Sequence, residues 1–132
     1  MLFQSGLKHN FEFEGKSFAT LIREGEDSNW EDLSIIRGSQ AGGAFKHITA
    51  VSDRYKLIYS NVKSVLDVPW FIDMQRDGYE MLNFYNDEEY FEIIAKMARG
   101  IKNYSVRCDD SAAAPTSKAG KEIEHAIRRV KK

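Results

Sequence analysis

Residues 68–100 read VPWFIDMQRDGYEMLNFYNDEEYFEIIAKMARG, and they hold the two strongest local structure signals of the chain. Asp77-Gly78 sits between two apolar, aromatic-rich runs, Trp70–Gln75 and Tyr79–Tyr85. An Asp-Gly pair so placed predicts a two-residue type I′ hairpin. In that register Met74 faces Met81, Phe71 faces Phe84 and Trp70 faces Tyr85. Pro69, which cannot donate to a ladder, suits the first residue of an edge strand. A helix is predicted next. Asn86 with Glu89 three residues on resembles a capping box. Asp87, Glu88, Glu89 and Glu92 come early and Lys96, Arg99 and Lys102 late, in the order that complements the helix dipole. Tyr90, Ile94, Met97, Ala98 and Ile101 form one apolar stripe, and Gly100 suits the helix end.

Outward toward the N-terminus, Ala44–Val51 (AFKHITAV) and Arg54–Ser60 (RYKLIYS) predict a second hairpin joined at Ser52-Asp53. Along the second run Tyr55, Leu57 and Tyr59 share one face while Arg54, Lys56 and Ser60 share the other, giving one buried side and one basic, wettable side. Arg37–Gly43 (RGSQAGG) reads as a loop between elements, since three of its seven residues are glycine. Residues 29–36 are compatible with a short helix or a short strand. Still earlier, the alternation FEFE, a Gly15-Lys16 turn and SFATLIR predict a first hairpin. Toward the C-terminus, residues 104–108 (YSVRC) suggest a short strand. Residues 109–117 read as a linker, and a final helix starts near Thr116 or Ser117 with Ile123, Ile127 and Val130 on one side.

The expected fold class is therefore α+β: a single domain with an antiparallel sheet of hairpins, packed on one face by a helix near 87–101, plus a C-terminal helix. The expected organisation is a core over 1–108, a linker over 109–117 and a basic C-terminal helix over 118–132. A chain of 132 residues, 42% apolar and 30% charged, suits one compact core. Net charge is −1, so nothing global demands nucleic acid or an anionic membrane. From Lys118 onward, however, six basic residues stand against two acidic ones. Cys108 is the lone cysteine, which excludes an intramolecular disulfide and a multi-cysteine zinc site. No run resembles a signal peptide or a membrane span, and a cytoplasmic location is expected.

Candidate chemistry is sparse. His9, His47 and His125 fall in separate segments without ligand spacing, so no metal and no cofactor is implied. Residues 114–122 fail the phosphate-loop pattern, with Pro115 where it needs glycine. The carboxylates Asp67, Asp73 and Glu80 could do general acid–base work if a cleft raised one pKa. The candidate binding residues are Arg37, Lys46, His47, Arg54, Tyr55, Lys56 and Tyr59, with the basic tail Lys121, Arg128, Arg129, Lys131 and Lys132. Without a catalytic motif, the favoured reading is a small protein-binding or regulatory protein, an inhibitor or modulator whose partner is another protein or a second copy of itself. The alternative is nucleic-acid binding through a basic, aromatic sheet face and the tail. A small enzyme with a fold-assembled site is the third reading.

Overall fold

A computed structural model describes residues 17–26, 30–39, 46–61 and 68–130, apart from the side chains of Ser39, Lys46 and Ala112. The chain divides into two units, residues 1–31 and 32–132. In the first, α1 (Ala19–Glu24) is a helix where a strand over Ser17–Arg23 was expected. Its residues are not buried, so no sheet face enforces the alternation, and Ala, Leu, Arg and Glu follow their helical propensity. Gly25, at φ 76°, closes the helix by donating its N–H to the Leu21 carbonyl at 2.9 Å. The FEFEG segment lies outside the described residues.

The second unit is α+β. Strands β1 (Ser34–Ser39), β2 (Lys46–Val51), β3 (Tyr55–Ser60) and β4 (Trp70–Asp73) form an antiparallel sheet in sequence order. The hairpin of β2 and β3 is as expected, with Val51 opposite Lys56 and Ile48 opposite Tyr59. Within the stretch 29–36, which was compatible with helix or strand, β1 begins at Ser34, and Ile35 sits opposite Ala50 on the buried face. Arg37, Gly38 and Ser39 continue β1 rather than starting a loop. Gly38 faces His47 across the ladder, and a Cβ there would meet the imidazole at 2.1 Å, so the ring lies over the glycine. Residues 40–43 are outside the described set.

The 68–100 stretch departs from its sequence reading at the turn. β4 ends at Asp73, whose carboxylate accepts the N–H groups of Gln75 and Arg76 while its carbonyl accepts those of Arg76 and Asp77. The chain therefore coils immediately, and residues 79–83 form no strand. A type I′ turn needs positive φ at both central residues. Neither Asp77 nor Gly78 has it, and Glu80 does instead, at 58°. One element of the expected register survives: the Phe84 N–H donates to the Phe71 carbonyl at 2.8 Å.

Asn83 takes over the work of the missing partner strand. Its Oδ1 accepts the N–H groups of Phe71 and Tyr85 at 3.0 Å each, and its Nδ2 donates to the Pro69 carbonyl at 2.9 Å. The edge of β4 is thus closed by a side chain. Asn83→Ala orphans these backbone groups and is expected to cost about 1–2 kcal/mol in urea unfolding, with Asn83→Asp less damaging because it keeps the acceptor.

The expected helix is displaced. A 3₁₀ turn (Glu88–Tyr90) precedes α2 (Phe91–Arg107), which runs through the YSVRC segment read as strand. No capping box forms; Glu89 pairs with Arg76 instead. Gly100 lies inside the helix, where its missing side chain admits Leu33: a Cβ would fall 2.2 Å from Leu33 Cδ2. A second 3₁₀ turn (Ser111–Ala113) leads to α3 (Lys118–Arg129), capped by Ser117 Oγ accepting the Gly120 N–H at 2.9 Å.

Helices α2 and α3 pack on each other and on the sheet. Ile94, Ala98 and Ile101 from α2 and Ala119, Ile123 and Ala126 from α3 meet Ile48, Ala50, Leu57, Tyr59 and Phe71 from the sheet. Each fully buried isoleucine contributes on the order of 2 kcal/mol. Within residues 32–132, both described α-helices lie on the same face of the sheet. No helix of the described residues is long and apolar enough to cross a membrane.

Candidate interaction surface

Two features stand out above the scaffold: a buried ion-pair hub at the end of β4, and the mixed face of the sheet opposite α2 and α3. The hub is built on Asp73. It shares the helix-facing side of the sheet with Phe71 and Tyr55, and it is fully buried. Arg54, at the tip of the β2–β3 hairpin, donates Nε to Oδ1 at 2.9 Å and Nη2 to Oδ2 at 2.6 Å, a fork matched to the carboxylate. The Tyr90 hydroxyl donates to Oδ2 at 3.0 Å and itself accepts from Arg76 Nη1 at 3.0 Å. Tyr90 also packs against Phe71, Phe84 and Tyr55.

The Arg54 hydrogen bonds, assisted by that of Tyr90 and opposed by burial, hold the Asp73 carboxyl down at about 2. The Arg54 guanidinium is correspondingly raised by its bond to Asp73. Burial pushes the Tyr90 phenol up, with Arg76 opposing. Every charged group here is answered by another, so the cluster ties hairpin, strand end and helix start together. This arrangement also removes Asp73 from acid–base candidacy, because a general acid needs a raised pKa. Glu80 pairs with Lys56, and Asp67 lies outside the described residues.

The face opposite α2 and α3 is read from the register, and it is partly covered: Thr49, Val51 and Ile58 are half-buried. Ile36 pairs with Thr49, Thr49 with Ile58 and Ile58 with Trp70, so these four residues form one row across all four strands. Ile36 is 53% exposed and Trp70 37%. At the edge of this row Lys56 reaches Glu80, which draws the 77–82 turn to the same side as Ile72, itself buried. Tyr79, Met81 and Leu82 on that turn are 91%, 74% and 56% exposed.

The residues singled out in the sequence do not assemble into one patch. Tyr59 is fully buried beneath the helices, where burial drives its phenol pKa well up, and Tyr55 is half-buried against Phe71. Neither tyrosine reaches the open face to stack a base. Arg54 is committed to Asp73, Arg37 to Asp110 and Lys56 to Glu80. His47 is on the open side over Gly38, and Lys46 is placed by its backbone, opposite Ser39. Of the tail, Lys121 and Arg128 are exposed, but Arg129 is drawn inward. Its guanidinium lies 4.0 Å from the Phe91 ring centroid and 4.6 Å from that of Tyr85, whose carbonyl accepts from Nη2. Lys131 and Lys132 lie outside the described residues. Sequence reading missed Tyr90, Arg76 and Asn83 as organising residues, since each acts on a neighbour 12 to 17 positions away.

No family model matches this sequence, and no curated protein does. Solved structures do match in fold. One is a protein in complex with its substrate D-glucosamine-2-N,6-O-disulfate, at TM-score 0.69 and 16% identity over 83% of this chain and 23% of that one. A second is a putative sulfatase from Bacteroides thetaiotaomicron, at TM-score 0.68 and 18% identity over 89% of this chain and 25% of that one. A third is a 2-O GAG sulfatase, at TM-score 0.65 and 19% identity over 92% and 26%. The fold is one that sulfatases carry. This chain spans about a quarter of the length of those it matches.

That likeness corrects the favoured sequence reading. A small inhibitor or modulator was expected from size and from missing motifs; the fold is instead one found as about a quarter of the length of sulfatase structures. The nucleic-acid alternative called for Tyr55 and Tyr59 beside basic residues on one sheet face, and both tyrosines lie on the side that faces the helices. An absence of motifs does not by itself select a function class, which lives in a site and not in a fold.

Proposed function

We propose that this chain is the small α+β portion of a sulfatase-type hydrolase, acting on sulfate esters of sugars in company with a larger catalytic body. The supporting observation is the shared fold over 83–92% of the chain in three sulfatase structures. Its own role is positional. The clustered titratable groups, Asp73, Arg54, Tyr90, Arg76 and Glu89, satisfy one another, and among the described residues no group of three or more His, Cys, Asp or Glu could hold a metal ion.

The test is direct. The purified 132-residue chain is expected to leave p-nitrophenyl sulfate and a sulfated glucosamine intact. Immunoprecipitation from the source with an antibody to this chain is expected to recover a much longer polypeptide, or a complex, that hydrolyses at least one of them. Recovery of a free 15.2 kDa species with no hydrolysis would sink the reading. The half-exposed free Cys108 fits the cytoplasmic setting expected from the sequence, which fractionation of the source cells checks.

A further inference from the structure

We infer that the outward face of the α2–α3 pair is a docking surface for a sulfated polysaccharide chain; the choice of a sulfated sugar over other polyanions rests on the reading above. This face is basic to a degree that the chain as a whole is not. Residues 91–132 hold ten Lys and Arg against five Asp and Glu, whereas residues 1–90 hold nine against fifteen. Exposure sharpens the contrast. Ten residues of the two helices are exposed: Lys96, Arg99, Lys102, Arg107, Lys121 and Arg128 are six of them, and Glu92 is the one acid.

Helical spacing gathers these side chains into two lines. Lys96, Arg99, Asn103 and Arg107 recur at three- and four-residue intervals on α2, and Lys121, His125 and Arg128 do so on α3. At 1.5 Å per residue the lines span about 16 Å and about 10 Å. The Lys102–Glu124 ion pair joins the helices on this side, so the lines lie next to each other and Glu124 is already neutralised. Among the described residues, Lys96, Arg99, Lys121 and Arg128 have no carboxylate at ion-pair distance. Like charges at such intervals weaken a helix, so the fold gains nothing from leaving four cations unanswered. The contrast is with the Asp73 hub, where each charge has its partner.

Two adjacent lines of unanswered cations match a linear polyanion. Neither helix exposes an aromatic residue, so the bases of a single-stranded nucleic acid find nothing to stack on. A sulfated polysaccharide asks for no such platform. Its sulfate groups are ionised and spaced along the chain, and the planar forks of Arg99 and Arg128 suit oxyanions. Its rings offer hydroxyl groups, for which the exposed Asn103 supplies an amide. Held there between turnovers, the polymer keeps its sulfate esters at a raised effective concentration for the catalytic assembly.

Fluorescence anisotropy with a labelled heparin oligosaccharide and the full chain tests the surface. Binding is expected at about 50 mM salt, weakening on the order of tenfold or more by about 200 mM. Arg99→Gln/Arg128→Gln should raise Kd at least about tenfold and leave Tm within about 3 °C. Arg23→Gln, at an exposed position of α1, should change Kd less than about twofold. No binding at low salt, a paired variant that binds like wild type, or an equal loss from Arg23→Gln would overturn the surface. O-desulfated heparin is expected to bind at least about tenfold more weakly; equal binding of it, or of duplex DNA, would overturn the occupant. The reading beneath fails separately. Variant-sensitive heparin binding by an assembly that hydrolyses no sulfate ester upholds the surface and overturns the hydrolase reading. Hydrolysis by an assembly that does not bind heparin overturns the surface alone.

Discussion

Asp73→Ala is expected to destabilise the fold by about 3 kcal/mol, enough to lower Tm by about 10 °C. The loss comes less from the ion pair than from what the carboxylate leaves behind. Arg54 is close to half exposed and can rehydrate. The Tyr90 hydroxyl, in a buried residue, and the Gln75 and Arg76 N–H groups lose their acceptor where the strand ends. Tyr90→Phe removes one of these bonds and should cost about 1 kcal/mol. Arg54→Lys should fall between wild type and Arg54→Ala, since an ammonium cannot reproduce the two-point fork. Urea unfolding of the series ranks the effects, and a loss for Asp73→Ala under about 1 kcal/mol would show that the hub is not a stabilising centre.

The same carboxylate makes stability depend on pH with a definite sign. Its folded pKa of about 2 lies below the ordinary value of 3.8, so the folded state favours the ionised form. The contribution is fully present above about pH 4, and it is lost as pH falls from there through about 2, reaching at most about 2 kcal/mol. Asp73→Asn should flatten the stability profile across that window while leaving its slope above pH 5 alone. An unchanged acid limb in the variant would place the acid sensitivity elsewhere.

Gly120→Ala is expected to cost about 2–3 kcal/mol, although alanine is the better helix former. Gly120 is buried in the first turn of α3, against the preceding 3₁₀ turn. A Cβ there would stand 1.9 Å from the Ala114 oxygen, 2.6 Å from its carbonyl carbon and 3.0 Å from the Ala113 oxygen. All three are backbone atoms, so no side chain can swing aside. Making room means moving the 3₁₀ turn, which buries Ala113 and whose Ala114 carbonyl accepts the Ser117 N–H at 2.8 Å. The other glycines supply the contrast. Gly100→Ala confronts only the end of Leu33 and should stay within about 1 kcal/mol of wild type, while Gly78→Ala meets nothing closer than 3.8 Å and should be near neutral. Thermal unfolding of the three variants measures the order, and a Gly120→Ala protein as stable as Gly78→Ala would refute the close approach.

What could be read in advance followed a rule. The β2–β3 hairpin and the start of α3 were legible because their determinants are local. Alternation in RYKLIYS assigns its own faces, and Ser117 caps a helix three residues away. The Asp77-Gly78 hairpin failed because its expectation used only the turn and its flanks, whereas Asp73, answering to Arg54 and Tyr90, stops the strand first. Gly100 failed similarly: a helix-ending residue by propensity, it is an opening for Leu33, 67 positions earlier in the chain. Basic and aromatic residues all look available in a sequence, which carries no record of burial. Tyr59 and Arg129 prove to be inside the packing.

By itself, then, the sequence determined the class of fold: a period of two in the strands, apolar stripes on two helices and one apolar face to cover. Periodicity of that kind is a property of neighbouring residues and needs no tertiary contact to exist. Only the tertiary structure decided which face the helices cover, that Ile36, Thr49, Ile58 and Trp70 line up across the other, and that a buried carboxylate ends the last strand. Those outcomes depend on pairs of residues far apart in the chain, whose meeting is a matter of packing and charge satisfaction between elements.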